Sequence, residues 1–147
     1  MKNFKLINKK KNIYLPIKKK IIIGKSMNNF LIKQAKINNH QKAMILIHKN
    51  RNNKFQEMLM CLTKKKRYDP HINLKSEKSY HIIYGKMKII FFLKNGKIKE
   101  SHIIEASKNY YFRFNKKLIH TVEILSNYAI FYERVLGPHK LTKYYNF

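Results

Sequence analysis

Between residues 44 and 135 the chain alternates short apolar stretches with turn residues, and this punctuation limits the fold more than any other feature. The stretches fall at 44–48, 55–62, 80–84, 86–93, 97–104, 110–114, 119–125 and 128–135. They recur at the eight-to-twelve-residue spacing of short strands, and no long helical period runs through them. Only 55–62, rich in Met and Leu, reads equally as helix. Gly85 joins two strands, and Asn95-Gly96 is the favoured two-residue hairpin turn. Ser126-Asn127 makes another turn, and Gly137-Pro138 ends the last strand. The pattern predicts an all-β sandwich or barrel. Tyr80, Tyr84, Phe91, Phe92, Phe112, Phe114, Phe131 and Tyr132 supply its core bulk, while Glu133 and Arg134 read as a structural pair or surface charges.

The 147 residues suit one domain. Residues 1–25 read as a basic arm. Lys9–Lys11 and Lys18–Lys20 are like-charge blocks, Pro16 breaks any helix, and Ile21 to Ile23 offer an edge strand. The arm is expected to be poorly packed and dispensable. The remaining domain, 26–147, opens with a helix over 28–36, capped by Ser26 or Asn28, with Phe30, Leu31 and Ala35 on one stripe.

One cysteine, Cys61, excludes an internal disulfide and any cysteine-cluster zinc site. No apolar run approaches the ~18 residues of a membrane-spanning helix. The N-terminus lacks the apolar core of a secretory signal, so the sequence predicts a cytoplasmic protein. Lys and Arg number 33 against 7 acidic residues, a net charge of +26. Only four are Arg (Arg51, Arg67, Arg113 and Arg134), and Lys, Asn and Ile dominate the whole chain. That is compositional drift and not a selected basic face, so no specific nucleic-acid partner is expected. Salt-dependent attraction of polyanions is.

Chemistry concentrates on histidine. His71 and His120 lie some fifty residues apart, and Glu77 lies six residues after His71. Two strands of a barrel can bring such positions together, and two imidazoles with a carboxylate suit a first-row transition metal. The same trio can equally be three unrelated polar residues. His40, His48, His102 and His139 fall in turns or at strand ends.

From Leu31 to Pro138 the features stand in a particular order. Ala35 is followed by a basic stretch and a strand ending in His48. Then come Gln56-Glu57-Met58-Leu59, Tyr68-Asp69-Pro70-His71, and Tyr80-His81-Ile82-Ile83-Tyr84-Gly85-Lys86. Asn95-Gly96, a segment from Phe114 to His120 with Thr121-Val122, Tyr132-Glu133 and Gly137-Pro138 complete the series. This order resembles the cupins, and within them the WbuC family of small metalloproteins found with surface-polysaccharide genes. The resemblance implies a double-stranded β-helix (jelly roll) with a short N-terminal helix. It also implies a divalent metal (Fe, Zn, Mn or Ni) inside the barrel, a carbohydrate-like ligand, and a homodimer in many members.

The implied ligand set is altered. His71 and His120 fall on motif histidines, but Asn73 stands where a second histidine belongs. The motif glutamate position carries Lys78, with Glu77 one residue earlier. In the second motif Asn115 replaces Pro and Lys117 replaces Gly. Side chains alternate along a strand, so Lys78 inward would turn Glu77 outward with His81, while a bulge near Ser79 would restore Glu77. With Glu77 inward, His71, Glu77 and His120, helped by Asn73, hold a metal. With Lys78 inward, the pocket prefers an anion. Tyr80 and His81 are the candidate substrate contacts. Three functions follow: a metal-dependent cupin acting on a carbohydrate or sugar nucleotide, a metal-free cupin binding a small polar ligand, and a basic polyanion binder.

Overall fold

The computed structural model describes residues 4–18, 20–50, 52–136 and 142–147. Twelve strands and one helix follow in the order β1 (Phe4–Asn8), β2 (Ile13–Pro16), α1 (Lys25–Ile37), β3 (Lys42–Leu46), β4 (Phe55–Thr63), β5 (His71–Asn73), β6 (Lys78–Tyr84), β7 (Lys86–Phe92), β8 (Ile98–Glu105), β9 (Tyr111–Phe114), β10 (Ile119–Ile124), β11 (Tyr128–Leu136) and β12 (Thr142–Tyr144). They form a seven-stranded sheet, β1-β2-β3-β4-β11-β6-β9, and a five-stranded sheet, β12-β5-β10-β7-β8. The predicted all-β jelly roll is therefore the observed fold, and the 55–62 segment is strand. Gly137, Pro138 and His139, the closing features of the sequence pattern, lie outside the described residues, as does Lys19 of the second basic block.

The inner faces of both sheets make the main core. Leu62, Ile82, Met87, Ile89, Phe91, Ile124 and Phe131 are buried there. Not every predicted core aromatic joins it. Tyr84 is exposed, and Tyr132 alternates to the outer face, where it packs at the edge of a second core. That second core lies under α1, whose Met27, Leu31 and Ala35 recur every fourth residue and bury against Ala43, Ile45, Leu59, Cys61 and Ile130. The expected caps Ser26 and Asn28 fall inside the helix. Gly24 occupies the N-cap with extended backbone and supplies no side-chain bond.

The N-terminal segment departs from its expected loose packing. β1 pairs with β2, and β2 runs parallel beside β3. Tyr14 is buried, and its hydroxyl donates to Asn12 Oδ1 at 2.7 Å. Asn12 in turn donates to the Gln34 carbonyl of α1 at 2.9 Å. The Lys9–Lys11 block that suggested disorder sits in the turn between the two strands, where its charges face water. Ile21 to Ile23 form no strand.

The β7–β8 hairpin turns at Asn95-Gly96, but not as a two-residue loop. Leu93 N–H bonds the Lys97 carbonyl at 2.9 Å, and Gly96 N–H bonds the Leu93 carbonyl at 3.0 Å. Of the pair only Gly96 has a positive φ, +84°. The loop is a type I turn followed by a left-handed glycine, and the ladder shifts register beside it, between Phe91 and Phe92. Gly85, also at φ +84°, joins β6 to β7, and a Cβ there would run into the Tyr128 carbonyl.

Candidate functional site

β5 has only three residues, yet it sets His71 directly opposite His120 of β10. Paired residues of antiparallel strands share a face, and the two rings meet at a centroid distance of 4.4 Å. His71 Nδ1 lies 3.1 Å from the Asp69 carbonyl, and His120 Nδ1 lies 2.9 Å from the Leu118 carbonyl. A carbonyl only accepts, so each Nδ1 carries the proton and each Nε2 presents its lone pair. Leu118 reaches its place through Lys117, whose φ of +66° fits the position where the sequence motif has glycine. His120 is fully buried, and its Nε2 has no hydrogen-bond partner among the described residues. Its imidazole is pushed down to about 2, by burial first and then by the charge of Lys78.

β6 resolves the alternatives at 77 and 78. It pairs with β11 in unbroken register from Lys78 to Ile82, so no bulge intervenes near Ser79. Lys78 therefore points inward with Tyr80. Its side chain is 3% exposed, its Nζ lies 3.5 Å from His71 Nε2, and it pairs with Glu133 Oε1 at 3.2 Å. Glu77 turns outward and bonds Arg113 on the surface. Glu133 is thus an inward residue, whereas Arg134, its neighbour, faces out and bonds Glu57 at 2.6 Å. Reading the two as one structural pair missed this alternation.

The remaining predicted residues divide similarly. Asn73 is buried, and its Oδ1 accepts from the Thr142 hydroxyl at 3.3 Å. Tyr80 is fully buried against Phe114 and Phe131. His81 lies on the opposite, outer face among Tyr110, Tyr111 and Tyr132. His71 and His120 are brought together; Glu77 and His81 are not brought to them.

A cavity of about 390 Å³ opens between the sheets beside this cluster. His71, Lys78, Tyr80 and Glu133 contribute to it, joined by Lys42, His48, Gln56 and Tyr68. At its mouth, Tyr68 carries two ammonium groups over its ring, Lys66 at 4.4 Å and Lys42 at 5.7 Å from the centroid. Burial, then Lys66 and Lys11, make the Lys42 charge costly. The Tyr68 hydroxyl is buried without a partner among the described residues, and burial holds its proton on well beyond the ordinary range. Sequence reasoning missed Lys42 and Glu133. Strand alternation from Met44 and from Phe131 was the signal that could have found them.

A divalent metal does not fit the donors gathered here. Among the described residues no three His, Cys, Asp or Glu side chains assemble around one point. The third neighbour of the imidazole pair is an ammonium, which repels a cation.

The fold is shared with solved structures of cupins. Oxalate oxidase in complex with glycolate aligns at a TM-score of 0.58 with 11% identity, over 74% of this chain and 57% of that one. CapF from Staphylococcus aureus, titled a capsular polysaccharide assembling protein, aligns at 0.60 with 14% identity, over 74% of this chain and 32% of that one. The chain thus spans just over half the length of the oxidase and about a third of CapF. No curated protein matches the sequence. The family model described as "Domain of unknown function (DUF6016)" matches residues 23–104, more than half of the chain, from the helix through β8. The chain belongs to that family, and it has the cupin fold.

Proposed function

We propose that this cupin is a metal-independent binding protein whose barrel cavity takes a small anionic ligand. The observation that supports this reading is the charge around the cavity. Two ammonium groups, Lys42 and Lys78, line it with one carboxylate, Glu133, while Lys66 stands over the Tyr68 ring within reach of the Asp69 charge. Lys78 is matched by Glu133, so Lys42 is the surplus, and the buried Tyr68 hydroxyl is a donor near it. An anion entering a half-dry cavity meets an attraction that bulk water would screen. Calorimetric titration with inorganic phosphate, gluconate and octanoate tests it. At least one of these anions should bind at one per chain, and Lys42→Gln should weaken it about tenfold. Failure of all three, or indifference to Lys42→Gln, would refute the reading.

The metal reading implied by the WbuC resemblance keeps one supporting observation: backbone carbonyls hold Nδ1 of both His71 and His120, which leaves each Nε2 as the acceptor nitrogen. Such fixing of Nδ1 is what metal-bound histidines use. It would require Lys78 to swing away from the pair. A role in surface-polysaccharide metabolism and a homodimer rest on the same resemblance.

A further inference from the structure

The anion pocket has a second property that its charges do not explain. Its wall is apolar and flexible. Met44 and Leu46 of β3, and Met58 and Met60 of β4, all face the cavity by strand alternation, with Phe131 beside Met60 on β11 of the same sheet and Val122 on β10 of the other sheet. A carbohydrate needs a dense set of hydrogen-bond partners for its hydroxyls, and desolvating them against this wall would leave them unpaired. Methionine side chains instead adapt to the shape of an apolar body. The polar groups flank that wall: Lys42 pairs at its Leu62 end, and Gln56 and Lys78 lie level with Val135 at the other.

We propose that the ligand is an amphipathic organic acid, whose carboxylate meets Lys42 and the Tyr68 hydroxyl and whose hydrocarbon body lies along the methionine wall. This rests on the anion-binding reading and adds the nature of the ligand's body. The cavity of about 390 Å³ lies within the range of sites that enclose a small organic molecule.

Calorimetry on the full chain separates the two levels with three probes that share a feature pairwise. Octanoate has charge and an apolar body, gluconate has charge and a polar body, and octan-1-ol has the body without the charge. Octanoate should bind at one per chain, at least tenfold tighter than either of the others. Met58→Gln, at a half-buried position that keeps the side-chain length, should weaken octanoate by about fivefold through lost apolar contact. It should leave any weak gluconate binding unchanged. Gluconate binding as tightly as octanoate would overturn the amphipathic ligand while leaving an anion pocket. Octan-1-ol binding as tightly as octanoate would overturn the anion pocket itself. Absence of octanoate binding would overturn the amphipathic ligand whatever the other probes do.

Discussion

His120 and Lys78 face the same interior from different sheets, and their chemistry is opposed. A buried imidazole beside an ammonium stays neutral, so folding holds His120 deprotonated at pH values where the unfolded chain would protonate it. The sign follows. Between about 6.5, the ordinary imidazole value, and about 2, the unfolded chain binds one more proton than the folded one. Stability contributed at this position is complete above pH 6.5 and falls on acidification by up to ~1.4 kcal/mol per pH unit. Chemical denaturation of the chain and of His120→Phe at pH 7.5, 6 and 5 measures it. The pH slope should be shallower in the variant, and equal slopes would show that His120 titrates normally. Lys78 pairs with Glu133 at 3.2 Å. Lys78→Ala strands that carboxylate and should cost about 3 kcal/mol, whereas the joint change Lys78→Met with Glu133→Leu should cost much less. Equal losses in the single and double variants would deny the pairing. At this scale the imidazole pair was legible from motif positions, because one residue of register fixes a whole face. Glu77 was not, because a bulge is written in backbone conformation and leaves no residue signature at Ser79.

The strands of the elements between 42 and 136 follow the apolar punctuation closely, since burial against a second sheet and turn chemistry act on the same residues. The three-residue strands β5 and β12 were invisible. Such lengths carry no period of two; β5 pairs along β10, and β12 adds to the far side of β5. β1 and β2 were hidden by the lysine blocks that flank them, although Tyr14, bonded to Asn12, and Asn12, bonded to α1, anchor them. A chain beginning at Gly24 is therefore expected to lose stability, read as a drop in thermal midpoint of several degrees, contrary to a dispensable arm. An unchanged midpoint would show that the hairpin adds nothing. The helix start offers the opposite test. Gly24 has extended backbone, open space at its Cβ position and no acidic residue in the turn after it. Gly24→Asp should raise stability by about 0.5–1 kcal/mol through a cap bond and the helix dipole. Denaturant titration checks this, and a destabilised variant would place the helix start elsewhere.

Across the whole molecule, 33 basic residues on 147 repel one another, and several of the 7 acids are engaged in pairs such as Lys78–Glu133, Arg134–Glu57 and Arg113–Glu77. The fold tolerates this because every described lysine except Lys78 is half-buried or exposed, while both cores are built from Ile, Leu, Met and aromatic side chains. The interior is where charge has consequence. There the alternation of β6 turns Lys78 inward where the resemblance implies a carboxylate, and the proposed anion binding rests on that change. The most direct check is the metal content of untagged protein, by mass spectrometry of the purified chain after dialysis without chelator. Well under 0.1 equivalent of Fe, Zn, Mn or Ni per chain is expected, as order-of-magnitude weak binding at an imidazole pair beside an ammonium. One equivalent per chain, lost in His120→Ala, would mean that a metal and not an anion occupies the barrel.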